Sequence, residues 1–141
     1  MYLIDTNVIS EARKGAAADP GVRAFFRDCA AQGTKLWLSV VTVGELRRGV
    51  DLIRHRGDTD QAKRLEAWLI GVLRDHQHAI LGFDLDAAQL WGRLRVPHPE
   101  HSLDKQIAAT ALLHGLTVVT RNTADFAATG VSLLNPFSKA A

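Results

Sequence analysis

The chain is poor in cysteine and free of any strong single bias. Its 141 residues include one cysteine, Cys29, and one methionine. A lone thiol excludes an internal disulfide framework and a four-thiolate zinc site. Charge of one sign is barely in excess, with 17 Lys and Arg against 15 Asp and Glu, a net of +2. That is too mild to name a nucleic-acid partner by itself. Long hydrophobic runs are missing. The longest stretch without Asp, Glu, Lys or Arg runs from Gln106 to Thr120 and holds His114 and Gly115. It is too short and too polar to span a bilayer about 30 Å thick. The opening Met1-Tyr2-Leu3-Ile4 meets a carboxylate at Asp5, which leaves no room for a signal-peptide apolar region. A soluble, cytoplasmic protein with no membrane partner is the expectation. There is no Walker-type phosphate loop, no G-x-G-x-x-G and no G-x-S-x-G nucleophile elbow.

What is present is ordinary globular material, 47% apolar and 23% charged, with no internal repeat. The length suits one domain, placed over residues 1–141. Short apolar runs alternate with helical patterns. Tyr2 to Ile4, Leu36 to Leu38, Ala79 to Phe83 and Thr117 to Thr120 read as strands, with a short fifth at Val131 to Leu134. Helices are predicted from Asn7 to Lys14, from Pro20 behind an Asp19 cap, from Thr42 to His55, from Asp58 to Gln77, from Asp86 to Arg95 and from Ser102 to His114. The helix after Asp19 would bury Val22, Phe25, Phe26 and Cys29. Alternation of this kind predicts an α/β fold with a mainly parallel central sheet. Such folds bind ligands beyond the carboxyl ends of their strands.

Three acids stand out at such places. Asp5 directly follows the first strand, and Asp5-Thr6-Asn7 are all cap formers, so its carboxylate reads as a helix cap or as a ligand. On a helical wheel Glu45 shares its face with Gly49, Leu52 and Ile53, while Arg47, Asp51 and Arg54 lie opposite. It is either a buried acid or an edge residue snorkelling to water. Asp104 lies with Ala108 and Ala111, while Lys105 and Gln106 turn away. The helix dipole favours an acid in a first turn but does not explain its small apolar face. Ionised carboxylates are costly to bury without compensation. Three of them at one end of a sheet suggest a shared cation. Oxygen donors with no thiolate and no evident histidine set favour Mg²⁺ or Mn²⁺ over zinc. Further on, Asn122 and Asp125 follow the fourth strand. They either reach the same crevice or form a plain turn, with Asp125 capping and Phe126 packing.

Other groups read as ordinary. His98-Pro99-Glu100-His101 sits on a proline-rich segment and reads as a solvated loop. Cys29 reads as core. Arg47, Arg48, Arg54, Arg56, Lys63 and Arg64 form a basic band, either a solvated face or a phosphate contact.

Taken together the motifs resemble a known family. Leu3-Ile4-Asp5-Thr6-Asn7-Val8-Ile9-Ser10-Glu11 resembles the opening of PIN-domain ribonucleases of the VapC toxin type. Val43-Gly44-Glu45-Leu46-Arg47-Arg48-Gly49 resembles their second motif, and Asp104 to Ala111 the third. Thr120-Arg121-Asn122, Asp125-Phe126 and the closing Asn135-Pro136-Phe137 resemble the fourth region and the tail. The likeness covers nearly the whole chain and is nearest to the FitB-like branch. It implies a three-layer α/β/α fold. It also implies an Mg²⁺- or Mn²⁺-dependent endoribonuclease, the toxin of a type II toxin–antitoxin pair, cleaving RNA such as tRNA with a metal-activated water. By the same resemblance Asp5 and Asp104 bind metal and Glu45 completes the site. Asn7 orients the first acid, and Thr120 supports it from the strand end. A homodimer and a cognate VapB-type antitoxin are implied too. One departure is that relatives often carry an acid where this chain has Asn122, which leaves open whether Asn122 or Asp125 completes the site and whether one metal binds or two.

A non-catalytic receiver-like or nucleic-acid-binding α/β module is the alternative. A receiver wants paired acids after the first strand and a lysine after a late one; this chain offers Asp5 and Arg121. A metal-dependent phosphatase is a third possibility. If Asp5, Glu45 and Asp104 face a cation, twelve acids remain against seventeen bases. The wider surface is then basic, as contact with RNA requires.

Overall fold

The computed structural model describes residues 1–138. The predicted domain reaches 141, and residues 139–141 lie outside the described part. Among the described residues the strands are β1 (Tyr2–Ile4), β2 (Leu36–Ser39), β3 (Ile80–Leu81), β4 (Thr117–Val119) and β5 (Leu133–Leu134). The helices are α1 (Thr6–Ala12), α2 (Pro20–Gln32), α3 (Val40–His55), α4 (Thr59–Asp75), α5 (Leu85–Leu94), α6 (Ser102–His114) and α7 (Thr123–Phe126). The strands lie in the order β3-β2-β1-β4-β5, and every pairing is parallel.

β1 is central. Its successive side chains point to opposite faces, as a strand requires. Ile4 packs with Val8, Leu38, Leu46, Leu69 and Val119 on one side. Leu3 packs with Ile107, Ala108, Ala111, Val118 and Phe126 on the other. A sheet buried on both faces explains the unbroken apolar runs of its strands. It also makes the molecule three-layered, α/β/α. The alanines of α6 are fully buried and let that helix lie close to the sheet.

The caps sit where their chemistry puts them. Asp19 accepts the N–H groups of Gly21 and Val22 at the start of α2, with Pro20 in the first turn. Asp58 caps α4 and Gly115 closes α6 in left-handed backbone. α3 starts two residues before the predicted Thr42, because Ser39, the last residue of β2, accepts the Val41 N–H and turns strand directly into helix. The outer strands are shorter than predicted. β3 keeps two of five residues and β5 two of four, since each edge strand pairs on one side only. α7, expected as an irregular segment, is a short helix followed by a 3₁₀ turn at Ala127–Thr129. No helix of the described residues is long and apolar enough to cross a membrane.

Candidate active site

The carboxyl ends of β1, β2 and β4 deliver their following residues to one edge of the sheet. Asp5 is 3% exposed there. Its Oδ1 accepts the Thr6 N–H at 2.7 Å. Its Oδ2 accepts the Asn7 amide at 3.1 Å and the Thr120 hydroxyl at 2.8 Å. Burial pushes this carboxyl up; the hydrogen bonds from Thr120, Thr6 and Asn7 pull it down, and burial prevails. The capping and ligand readings of Asp5 are therefore compatible. A carboxylate has about four lone-pair sites, and three are used.

Asn7 and Thr120 brace that acid. The Asn7 amide also donates to the Thr120 hydroxyl at 3.2 Å, and its Oδ1 accepts the Arg121 N–H at 3.0 Å. Thr6, read from sequence only as a cap former, donates its hydroxyl to Oε1 of Glu45 at 3.0 Å. It thus links the first acid to the second.

Glu45 is half-buried, and its carboxyl is pushed up by burial and by the charge of Asp5 against the Thr6 hydrogen bond. It shares its face with Gly49 and Ile53, as the wheel predicts, but that face is not the buried stripe. The buried stripe of α3 is Thr42, Leu46 and Val50. Glu45, Gly49 and Ile53 sit one residue round the helix and line a groove of about 230 Å³ with Arg13, Gln61 and Trp68. The acid lines that groove rather than standing inside the core.

Asp104 is pushed up to about 6. Burial is the main cause, followed by the charges of Asp5, Asp125 and Glu45, with His101 opposing. Four acids from distant parts of the chain thus share one electrostatic neighbourhood. Ala108 and Ala111 are buried behind Asp104, as the wheel predicts. Lys105 is not turned away to solvent. It is 5% exposed, and its ammonium donates to the His98 carbonyl. The segment before α6 folds back over it, a contact no helical wheel can register.

After β4 the two candidates part. Asn122 is exposed, and its side chain makes no capping hydrogen bond; its N–H donates to the Thr120 hydroxyl at 3.0 Å. Asp125, carried inward by α7, has ligand atoms that converge with those of Asp104 and His101 to within 4.8 Å of one another. His98 and Glu100 do belong to an exposed loop, with side chains 79% and 62% exposed. His101 is exposed too, at 51%, but its Nε2 lies 3.8 Å from Oδ1 of Asp125. The available signal was its position, one helical turn ahead of Asp104.

The donor set fits a hard divalent cation. It is rich in carboxylate oxygen, contains no thiolate and carries mutually repelling charge that a cation would relieve. Asp5, Glu45, Asp104 and Asp125 are the residues that could hold one. The basic band is partly self-neutralised. Arg47 pairs with Glu66 at 2.6 Å, and Arg54 pairs with Glu66 at 3.0 Å and Asp51 at 2.7 Å. Arg48, Arg56, Lys63 and Arg64 remain exposed.

Known proteins resemble this chain over nearly its full length. The family model described as PIN domain matches residues 2–131. The VapC ribonuclease Y4jK of Sinorhizobium fredii is 36% identical, with 99% of this chain and 100% of that protein covered. Toxin FitB of Neisseria gonorrhoeae is 34% identical, covering 97% and 99%. Among solved structures, FitAcB from Neisseria gonorrhoeae superposes with a TM-score of 0.84 at 34% identity, covering 96% of this chain and 98% of that one. FitAB bound to an IR36 DNA fragment does so at 0.79 and 31%, covering 100% and 99%.

Proposed function

The chain belongs to the PIN-domain family, and from that premise we propose that it is the ribonuclease toxin of a toxin–antitoxin pair, a hydrolase that cuts RNA phosphodiester bonds. One observation carries the reading: Asp5, Glu45 and Asp125 all raise the pKa of Asp104, so the acids converge at the carboxyl edge of a parallel sheet. The names of the relatives, a VapC ribonuclease and a toxin, support it.

In this proposal Asp5, Glu45, Asp104 and Asp125 hold Mg²⁺ or Mn²⁺. When bound, the cation supplies a Lewis acid for the phosphodiester and for the attacking water. The chain's own residues do the rest. Thr120, Asn7 and the Thr6 N–H fix Asp5 in one orientation, and the Thr6 hydroxyl holds Glu45 in reach of it. Asp104, poised near pH 6, is ionised at neutral pH and ready to bind a cation or take a proton. Arg48, Arg56, Lys63 and Arg64 are free to meet RNA phosphates. Asn122 stays outside the carboxylate set and serves through its backbone. A VapB-type antitoxin and a homodimeric state complete the proposal, and the cytoplasm is its setting. A receiver-like role wants a lysine after a late strand, where this chain has Arg121, stacked over Phe137 at 3.8 Å.

The test is cleavage of total RNA or purified tRNA by the chelator-stripped chain. Cutting should appear with Mg²⁺ or Mn²⁺ and stop with chelator. Asp5→Asn and Asp104→Asn should abolish it. Cleavage by both variants at the wild-type rate overturns the proposal.

A further inference from the structure

His101 is the polar group at this site that the mechanism above leaves unused. It precedes α6 in left-handed backbone, at φ 56°, a conformation uncommon for any residue but glycine. Its carbonyl accepts the Lys105 N–H at 2.9 Å, while the Lys105 ammonium holds the His98 carbonyl. The first is the opening bond of α6 and the second ties the preceding loop to that helix; the imidazole itself is 51% exposed and lies beside the acids. Nε2 stands 3.8 Å from Oδ1 of Asp125, too far for a hydrogen bond. The ligand atoms of His101, Asp104 and Asp125 lie within 4.8 Å of one another. Atoms around one ion at about 2.1 Å sit roughly 3–4 Å apart, so small side-chain rotations close the set. A shallow cavity of about 330 Å³ joins His101 and Asp104 to Glu45, which opens this set onto the other acids.

We propose, resting on the reading that these acids hold a divalent cation, that His101 supplies a nitrogen ligand beside Asp104 and Asp125 and tunes the centre away from Mg²⁺. Mg²⁺ is hard and favours oxygen in strict octahedral geometry. Imidazole suits later first-row ions, whose affinity for mixed nitrogen and oxygen sites rises from Mn²⁺ to Ni²⁺. Replacing one oxygen donor by nitrogen therefore raises Ni²⁺ and Mn²⁺ binding relative to Mg²⁺.

The experiment is calorimetric titration of the untagged, chelator-stripped chain with Mg²⁺ and with Ni²⁺, for wild type, His101→Gly and His101→Asn. Glycine suits the left-handed backbone and asparagine tolerates it, so both variants keep the fold. His101→Gly should lower Ni²⁺ affinity at least about tenfold and change Mg²⁺ affinity less than about threefold. Pulsed electron paramagnetic resonance of the Mn²⁺-loaded protein should show imidazole-nitrogen coupling in the wild type and none in His101→Gly. Unchanged Ni²⁺ affinity with persistent nitrogen coupling overturns this inference alone. A wild-type chain that takes up neither ion overturns it together with the metal reading of the site.

Discussion

The Thr120 hydroxyl donates to Oδ2 of Asp5 at 2.8 Å, joining the ends of β4 and β1 across most of the chain. Thr120 is fully buried, and its oxygen also accepts the Asn7 amide and the Asn122 N–H. A hydroxyl has one hydrogen to give and two lone pairs to fill, and here all three are engaged.

Thr120→Val keeps the shape and removes all three bonds. It leaves the Asp5 carboxylate short of its strongest stabilising partner and takes an acceptor from two part-buried donors. The expected cost is about 1–3 kcal/mol of stability by denaturant unfolding. The Asp5 pKa should rise further, so divalent affinity at neutral pH falls. Thr120→Ser should restore most of both. A valine variant with wild-type stability and metal affinity would show that the network is dispensable.

Asp104→Asn should stabilise the metal-free protein while abolishing cleavage. The folded-state value of Asp104, about 6, lies above its ordinary 3.8. An acid raised in this way leaves the native state binding more protons, so stability falls as pH rises from about 4 through 6 and stays low above. Discounting for the solvent that reaches this half-exposed carboxylate, the variant should gain on the order of 1 kcal/mol at pH 8. The gain should vanish near pH 4. Thermal melts with chelator at the two pH values test it, and an equal difference at both would contradict the cause given. Adding Mg²⁺ should stabilise only the wild type.

Glu66→Gln should strengthen RNA binding. Glu66 holds Arg47 and Arg54, which lower its pKa, and the charge of those guanidiniums is spent within the protein. Arg54 stays paired with Asp51 at 2.7 Å, so the variant frees chiefly Arg47 and adds about one phosphate contact. The slope of log affinity against log salt should steepen by about 0.7 per contact on single-stranded RNA. Filter binding across a salt series, in chelator to prevent cutting, reads the slope directly. An unchanged slope would place this face away from the substrate.

Part of the candidate site was legible because Asp5 and Asp104 sit at element boundaries, which are the readable points of an α/β sequence. Asp5 after β1 and Asp104 at the head of α6 follow from strand–helix alternation and wheel position alone. The company of Glu45 with Gly49 and Ile53 follows from the wheel, but a wheel shows relative angles and cannot say which face is buried, and that is the one with Thr42, Leu46 and Val50. Lys105 was misread since its burial depends on a loop returning from outside the helix. His101 was hidden among His98 and Glu100, and all three are exposed. Only tertiary folding, which brings α7 beside the start of α6, separates it from them. The approach of Asp125 to Asp104 likewise depends on α7, too short to announce itself in periodicity. The pairing of Arg47 and Arg54 with Glu66 crosses from α3 to α4 and has no local signature.

The central position of β1 has a consequence for synthesis. Its strand is made first, yet one of its two neighbours, β4, begins at Thr117. Asp5 therefore has its Thr120 partner only after about five-sixths of the chain has left the ribosome, and Asp125 follows later still. Pairings of such high sequence separation form late in folding. A chain truncated before Thr120 lacks both the complete carboxylate set and the hydroxyl that braces Asp5.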